Sequence, residues 1–292
     1  MILYKKQSIR PDFYLRPAVP RDLNALTRLI NTVPRMYRHL DWCPPLDWLG
    51  RQPFYVIDSD EGIQAVLAFP QDPPGIAWIR LFACAAQVDP FQAWQLLFAR
   101  GLEDYSQPPR PLICGLGLNE WFLKVQERAG FTVYQHIVSL ARDLQVPLPE
   151  ANNNWHVFVR PMEEGDIPTV AKIDAAAFEP IWQNSADQIR LSYYQSVYCT
   201  VAEIRNEIVG FQICTSNLFS AHLARLAVQP ELQHQRIGFT LVYDALQKFR
   251  QDRLWQLTVN TQDNNHSSLA LYKQAGFELT GEQYPVLLSP EL

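Results

Sequence analysis

Apolar positions along the chain switch between a period of two and a period near 3.6, the sign of strands alternating with helices. The second half reads most clearly. Residues 155–160 alternate, and Asp166 stands where it would cap a helix running to Phe178. Residues 187–194 predict a second short helix. Residues 197–204 and 208–215 predict a hairpin that turns at Arg205, Asn206 and Glu207. A third apolar strand over 222–228 is stopped by Pro230, and Leu241, Val242, Ala245, Leu246 and Phe249 then fall at helical spacing within 239–250. Residues 254–260 predict another strand, 265–275 a helix closed by Gly276, and 277–282 with 285–288 the last strand pairing. The order is β-α-α-β-β-β-α-β-α-β. It predicts an α/β fold with a mixed, largely antiparallel central sheet and helices on both faces.

The same order is written twice. Leu15-Arg16-Pro17-Ala18 with Asp22-Leu23 recurs 144 residues later as Val159-Arg160-Pro161-Met162 with Asp166-Ile167. Val56-Ile57-Asp58 through Ala65-Val66-Leu67 recurs after 145 residues as Val201-Ala202-Glu203 through Gly210-Phe211, and Arg80-Leu81 recurs at the same offset as Arg225-Leu226. Ala129-Gly130-Phe131 recurs after 146 residues as Ala275-Gly276-Phe277. Four matches in order, with an offset that drifts by only two residues, predict two tandem copies of one fold. A seam rich in Pro and Asn follows Gln145, where the offset requires it, and divides the chain into residues 1–147 and 148–292.

Composition narrows the function. The 292 residues suit about two domains, and a hydrophobic content of 48% supports substantial cores. The net charge of −5 argues against a phosphate-backbone binder, so nucleic acid is not an expected partner. No apolar run is long enough to span a bilayer, so a membrane is not one either, and the opening residues 1–8 lack the apolar stretch of a secretory signal. Five cysteines, odd in number and without metal-type pairing, read as thiols in a reducing cytoplasm. The six histidines show no metal spacing, and no metal is expected.

The chemistry concentrates after the third strand of the second copy. Leu226-Ala227-Val228-Gln229-Pro230 ends a strand, a polar loop turns, and an amphipathic helix starts at Gly238. Free main-chain N–H groups at such a turn, backed by the helix dipole, suit a pyrophosphate. Gln233-His234-Gln235-Arg236-Ile237-Gly238 resembles the Gln/Arg-x-x-Gly-x-Gly/Ala signature of the GNAT superfamily of acyl-CoA-dependent N-acetyltransferases. Some thirty residues on, Asn265-His266-Ser267-Ser268-Leu269-Ala270-Leu271-Tyr272 through Gly276-Phe277 resembles the family's second element. The flavour is that of the ribosomal-protein N-terminal acetyltransferases.

The resemblance implies acetyl-CoA as co-substrate, held by Leu226, Ala227 and Val228, by the loop from Gln233 to Gly238, by Phe239 and Thr240, and by Asn265 and Ser268. The pantetheine arm would lie where the strands at 222–228 and 254–260 splay. Tyr272 would be the acid for the departing thiolate. Amide formation also needs a base for the ammonium proton. His222, on the strand position where some family members carry a Glu, is the first candidate, with Glu203 through a water the second. Phe178, Glu179, Trp182 and Tyr284 are expected to wall a slot for a primary amine, on a small molecule or a peptide N-terminus. Ordinary packing is the competing reading for these four, and a core role for Tyr272.

One position departs from the signature: Arg236 replaces its first Gly. Such an Arg is expected to be tolerated at negative φ, either reaching a phosphate oxygen or facing solvent. The first copy departs further. Its loop, Ala85-Ala86-Gln87-Val88-Asp89-Pro90, has no glycine and puts a carboxylate where a diphosphate would sit, and Gln126 replaces Tyr272. It is therefore expected to be a degenerate GNAT-like domain beside a working one. The alternative is a non-catalytic acyl-CoA sensor or scaffold. Acceptor, acyl chain and oligomeric state are not legible in the sequence.

Overall fold

The structure is a computed structural model, and it describes residues 13–151 and 153–290. Residues 1–8, read above for a signal, lie outside these, as does Asn152 of the seam.

The chain forms two compact units. Among the described residues, one comprises those up to Thr132 and from Leu287 on, the other those from Val133 to Val286. The first unit contains β1 (Tyr14–Pro17), α1 (Leu23–Thr32), β2 (Arg35–Arg38), β3 (Phe54–Ser59), β4 (Gly62–Ala68), β5 (Ile76–Trp78), β6 (Leu81–Cys84), α2 (Pro90–Glu103), β7 (Leu112–Leu116) and α3 (Glu120–Arg128). Its five-stranded sheet has the order β1-β3-β4-β6-β2, and β5 pairs in parallel with β7. Trp94, Phe82, Phe98, Phe122 and Phe131 fill the core on one side of the sheet, while Trp48, Phe54, Leu26 and Leu81 fill it on the other.

The repeat in the sequence and the division in space run differently along the chain. The strand that closes the first copy, β8 (Thr132–Asp143), packs almost wholly in the second unit. The last residues return to the first, where Leu287 enters the core and the Ser289 N–H donates to the Ile113 carbonyl.

The second unit continues with β9 (Phe158–Pro161), α4 (Ile167–Ala177), α5 (Ala186–Gln195), β10 (Tyr198–Ile204), β11 (Glu207–Ser216), β12 (Ser220–Val228), α6 (Ile237–Gln251), β13 (Gln256–Gln262), α7 (His266–Gln274) and β14 (Glu278–Leu288). Its strand order is β14-β8-β13-β12-β11-β10-β9. Every pair assigned among β8 to β13 is antiparallel except β12 with β13. Phe239, Val242, Ala245, Leu246 and Phe249 of α6 bury their shared face on Leu223, Leu257 and Val259.

The element order expected from the apolar pattern holds in the second copy, with local shifts. Residue 155 lies outside the first strand, which begins at Phe158, and the indole of Trp155 is 84% exposed. The final pairing is one strand with Gly281 at φ 88°. The first copy departs more. Where the pattern predicts a second helix, it has the extended β2 and a short 3-10 turn at Pro45–Trp48.

Both copies tie the first strand to the strand it pairs with by the same ionic knot. Arg16 joins Asp22 and Asp58 at 2.6 Å each, and Arg160 joins Asp166 and Glu203 at 2.7 Å each. Each arginine holds its aspartate's carboxyl below the ordinary range through a hydrogen bond. Glu203, the second candidate for the base, is thus one arm of a structural ion pair. Among the described residues no helix is long and apolar enough to cross a membrane.

Candidate active site

The cleft begins at a bulge. β12 pairs with β13 only from Ser220 to Leu223, opposite Gln256 to Val259. On its other side the register with β11 jumps from Leu223 to Arg225, leaving Ala224 as the extra residue. A bulge bends its strand and sharpens the local twist. Beyond it, Arg225 to Val228 stay on β11 while β13 continues along β8 as far as Gln262. The two parallel strands therefore part. The outer edge of Leu226, Ala227 and Val228 carries no strand partner among the described residues.

At the mouth of this gap lies the loop into α6. The main-chain N–H groups of His234, Gln235, Ile237, Gly238 and Phe239 have no acceptor among the described residues. Unpaired amides at a helix N-terminus, with the dipole behind them, form a strong locus for an anion. The loop is held from behind. The Asn154 side-chain amide donates to the Gln235 carbonyl at 2.9 Å, its N–H donates to the Thr240 hydroxyl at 3.0 Å, and that hydroxyl donates to the Arg236 carbonyl at 2.9 Å. With the carbonyls turned to these partners, the amides face the opposite way. Thr240, expected on the cofactor, braces the loop through its side chain. Gln233 likewise turns inward, donating to the Val228 carbonyl at 3.3 Å.

Arg236 corrects the expectation of a negative φ. It sits at φ 63°, the left-handed conformation that its glycine counterpart adopts without strain, and His234 is at φ 61°. The path of the main chain is thus kept and the strain accepted, about 1–2 kcal/mol for an L-residue in this region. Gly238 serves packing. A Cβ there would come within 3.2 Å of Leu271 on α7, so the bare Cα lets the two helices approach. Asn265 accepts from the Ser268 N–H at 3.1 Å and so caps α7.

Tyr272 is 5% exposed, its ring 5.7 Å from that of Phe277, and its hydroxyl makes no hydrogen bond among the described residues. Burial pushes its phenol well above the ordinary value, so it is a proton carrier at any working pH. His222 is half-buried in the last stretch before the strands part. Its Nδ1 lies 2.8 Å from the Thr258 hydroxyl, which is also 3.3 Å from the Ala221 carbonyl. With Thr258 donating to that carbonyl, Nδ1 carries the proton and Nε2 keeps a lone pair. Burial lowers the imidazole's pKa, which keeps that lone pair available near neutrality.

Phe178 and Trp182 come together around a residue the sequence reading passed over. The Arg225 guanidinium lies 3.6 Å from the Phe178 ring centroid, donates to the fully buried Asp174 carboxylate at 2.6 and 2.8 Å, and donates to the Trp182 carbonyl at 2.7 Å. Arg225 immediately follows the bulge, so this knot fixes the turn after α4 to the mouth of the cleft. Its signal was the recurrence of Arg80 as Arg225. Arg80 is itself paired with Asp41, across a Trp48 ring. Glu179 is exposed and 3.4 Å from the Tyr134 hydroxyl at the start of β8. Nothing among the described residues joins Tyr284, half-buried in β14, to this group.

A strand pair that splays at a bulge, an amide-lined loop at its mouth and a buried phenol define a class. Residues 167–277 match the Acetyltransferase (GNAT) family, and the second copy carries a GNAT-family acetyltransferase domain. A protein of Bacillus subtilis (strain 168), named provisionally as a ribosomal protein bS18-alanine N-acetyltransferase, is 25% identical over 123 residues, 42% of this chain and 82% of its own. Among solved structures, a GCN5-related N-acetyltransferase from Sphaerobacter thermophilus superposes with TM-score 0.60 at 15% identity, covering 98% of each chain. A tandem GNAT protein from the clavulanic acid biosynthesis pathway superposes with TM-score 0.61 at 13% identity, covering 96% of this chain and all of the other. The fold of the whole chain is that of tandem GNAT proteins.

Proposed function

We propose that the protein is an N-acyltransferase that moves an acetyl group from acetyl-CoA to a primary amine, with residues 148–292 as the working copy and residues 1–147 as a degenerate one. The observation that carries this is the set of main-chain amides of His234, Gln235, Ile237, Gly238 and Phe239, without an acceptor among the described residues, at the mouth of a cleft whose strands part at the Ala224 bulge. The diphosphate would rest on those amides, and the two amides of the pantetheine arm would pair with the free edge of Leu226, Ala227 and Val228. A main-chain N–H on that edge would polarise the thioester carbonyl. His222 would take the ammonium proton through Nε2, and Tyr272 would return one to the thiolate. The acceptor would enter beside Phe178 and Trp182, its positive charge drawn by Glu179. Tyr284 keeps a place in this scheme only if the substrate is long enough to reach β14. The five free cysteines suit a reducing cytoplasm.

Isothermal titration with acetyl-CoA, followed by thiol release over a panel of small amines and peptides with a free N-terminus, tests the reading. Binding with amine-dependent thiol release is expected. Binding without release from any amine would move the protein to the sensor or scaffold reading, and no binding would remove both.

A further inference from the structure

The first copy repeats the parallel strand pair of the cleft, residue for residue. Ile76, Ala77 and Trp78 pair in parallel with Leu112, Ile113 and Cys114, at positions 145 residues before the Ala221, His222 and Leu223 that pair with Leu257, Thr258 and Val259. At the position corresponding to Ala224 the strand breaks between β5 and β6. β6 then follows β4 as Arg225 to Val228 follow β11. The edge that the second copy leaves open should therefore be open on β6 as well.

It is not open. β2 lies along it, with Arg38, Tyr37, Met36 and Arg35 opposite Leu81, Phe82, Ala83 and Cys84, and the His39 N–H donating to the Arg80 carbonyl at 2.9 Å. Against β4, Phe82, Ala83 and Cys84 take the register that Leu226, Ala227 and Val228 take against β11, one residue later than the sequence offset gives. The Tyr37 ring is completely buried, 4.1 Å from Phe122 of α3, the counterpart of Ser268. The second copy cannot close in this way. Its matching segment is the 3-10 turn Pro180–Trp182, where Pro180 has no N–H for a ladder and Arg225 holds the Trp182 carbonyl. The anion locus is closed too: the Asp89 carboxylate caps α2, accepting from the Gln92 N–H at 2.8 Å.

We infer that β2 is the resident ligand of the first unit's acyl-CoA slot. A segment of the chain's own backbone supplies there the amide pairing that a pantetheine arm would supply in the second unit, so each chain takes up one acyl-CoA. The identification of the slot rests on the proposed function, but the contrast between the two edges does not. A strand paired on both sides has every N–H bonded, whereas one paired on a single side has alternate N–H groups bare.

Hydrogen–deuterium exchange of the full-length protein, read at single-residue resolution with and without acetyl-CoA, is the test. Without ligand, the amides from Leu81 to Cys84 should all exchange slowly, while those from Leu226 to Gln229 should alternate slow and fast. Acetyl-CoA should slow the fast ones and leave residues 81–84 unchanged, with titration giving one site per chain. Two sites per chain, fast amides within 81–84 before ligand is added, or a response there to acetyl-CoA would each overturn the inference. If acetyl-CoA binds nowhere, the proposed function fails, while the contrast in the ligand-free protein still decides whether β2 fills the edge.

Discussion

Replacing Tyr272 with Phe separates a chemical role from a structural one, because the structure makes the two losses so unequal. The hydroxyl has no hydrogen-bond partner among the described residues, so its removal leaves no donor or acceptor stranded. The ring keeps its contact with Phe277 and its place in the core with Phe239, Leu257 and Val259. Losing a buried, unpartnered hydroxyl should change the unfolding free energy by no more than about 0.5 kcal/mol. The proposed diphosphate locus involves main-chain amides on another element, so acetyl-CoA affinity should stay within about twofold. Loss of a positioned acid costs about 10²–10⁴ in rate, which is about 2.7–5.4 kcal/mol of barrier at 1.36 kcal/mol per decade. The assay is colorimetric thiol release at saturating acetyl-CoA, run beside calorimetric titration and urea unfolding of the same preparations. A turnover within about threefold of the parent would refute the acid role. A loss of stability beyond about 1.5 kcal/mol would reassign the residue to the core.

Further outcomes follow from the same geometry. Arg236→Gly should change stability by no more than about 1 kcal/mol, since release of left-handed strain of about 1–2 kcal/mol is set against the extra chain entropy of glycine, about 0.5–1 kcal/mol, and the contact the arginine gives up. Urea midpoints measure this, and a variant destabilised beyond that would show that the side chain holds the loop; acetyl-CoA affinity should change by less than about threefold, because the amides keep their direction. For His222, burial moves the folded pKa below the unfolded value near 6.5, so the imidazole stays neutral where the free one would charge. The acidic limb of kcat/KM should then fall at a midpoint below 6.5 and vanish in His222→Gln, whose residual activity should be flat there; a limb that persists in the variant would assign the base elsewhere. The same depression makes the fold lose a little stability as pH falls through 6.5, because the unfolded chain binds a proton that the folded one resists.

The amino-acid sequence alone determined what is local or repeated. Period and punctuation place the helices and strands of the second copy to within a few residues, because apolar spacing, Pro230 and Gly276 act on their own neighbourhood. The duplication is legible as recurrences of Arg16 as Arg160 and Arg80 as Arg225. The loop signature marks where unpaired amides gather. What depends on partners distant in the chain was settled only by tertiary structure. Glu203 cannot be known as a structural anion until Arg160 and Asp166 are seen around it. Arg236 looks misplaced until its φ is known, since a side chain does not announce the conformation its backbone is held in. Nor does the tetrapeptide of β2 declare itself as the strand that shuts a cleft. Its propensity fits a strand or a turn, and the choice falls to the unpaired edge that β6 offers some 45 residues further along. The place of β8 follows the same logic, because a strand joins whichever sheet edge buries its apolar face, and in this chain that edge is β13 of the second unit.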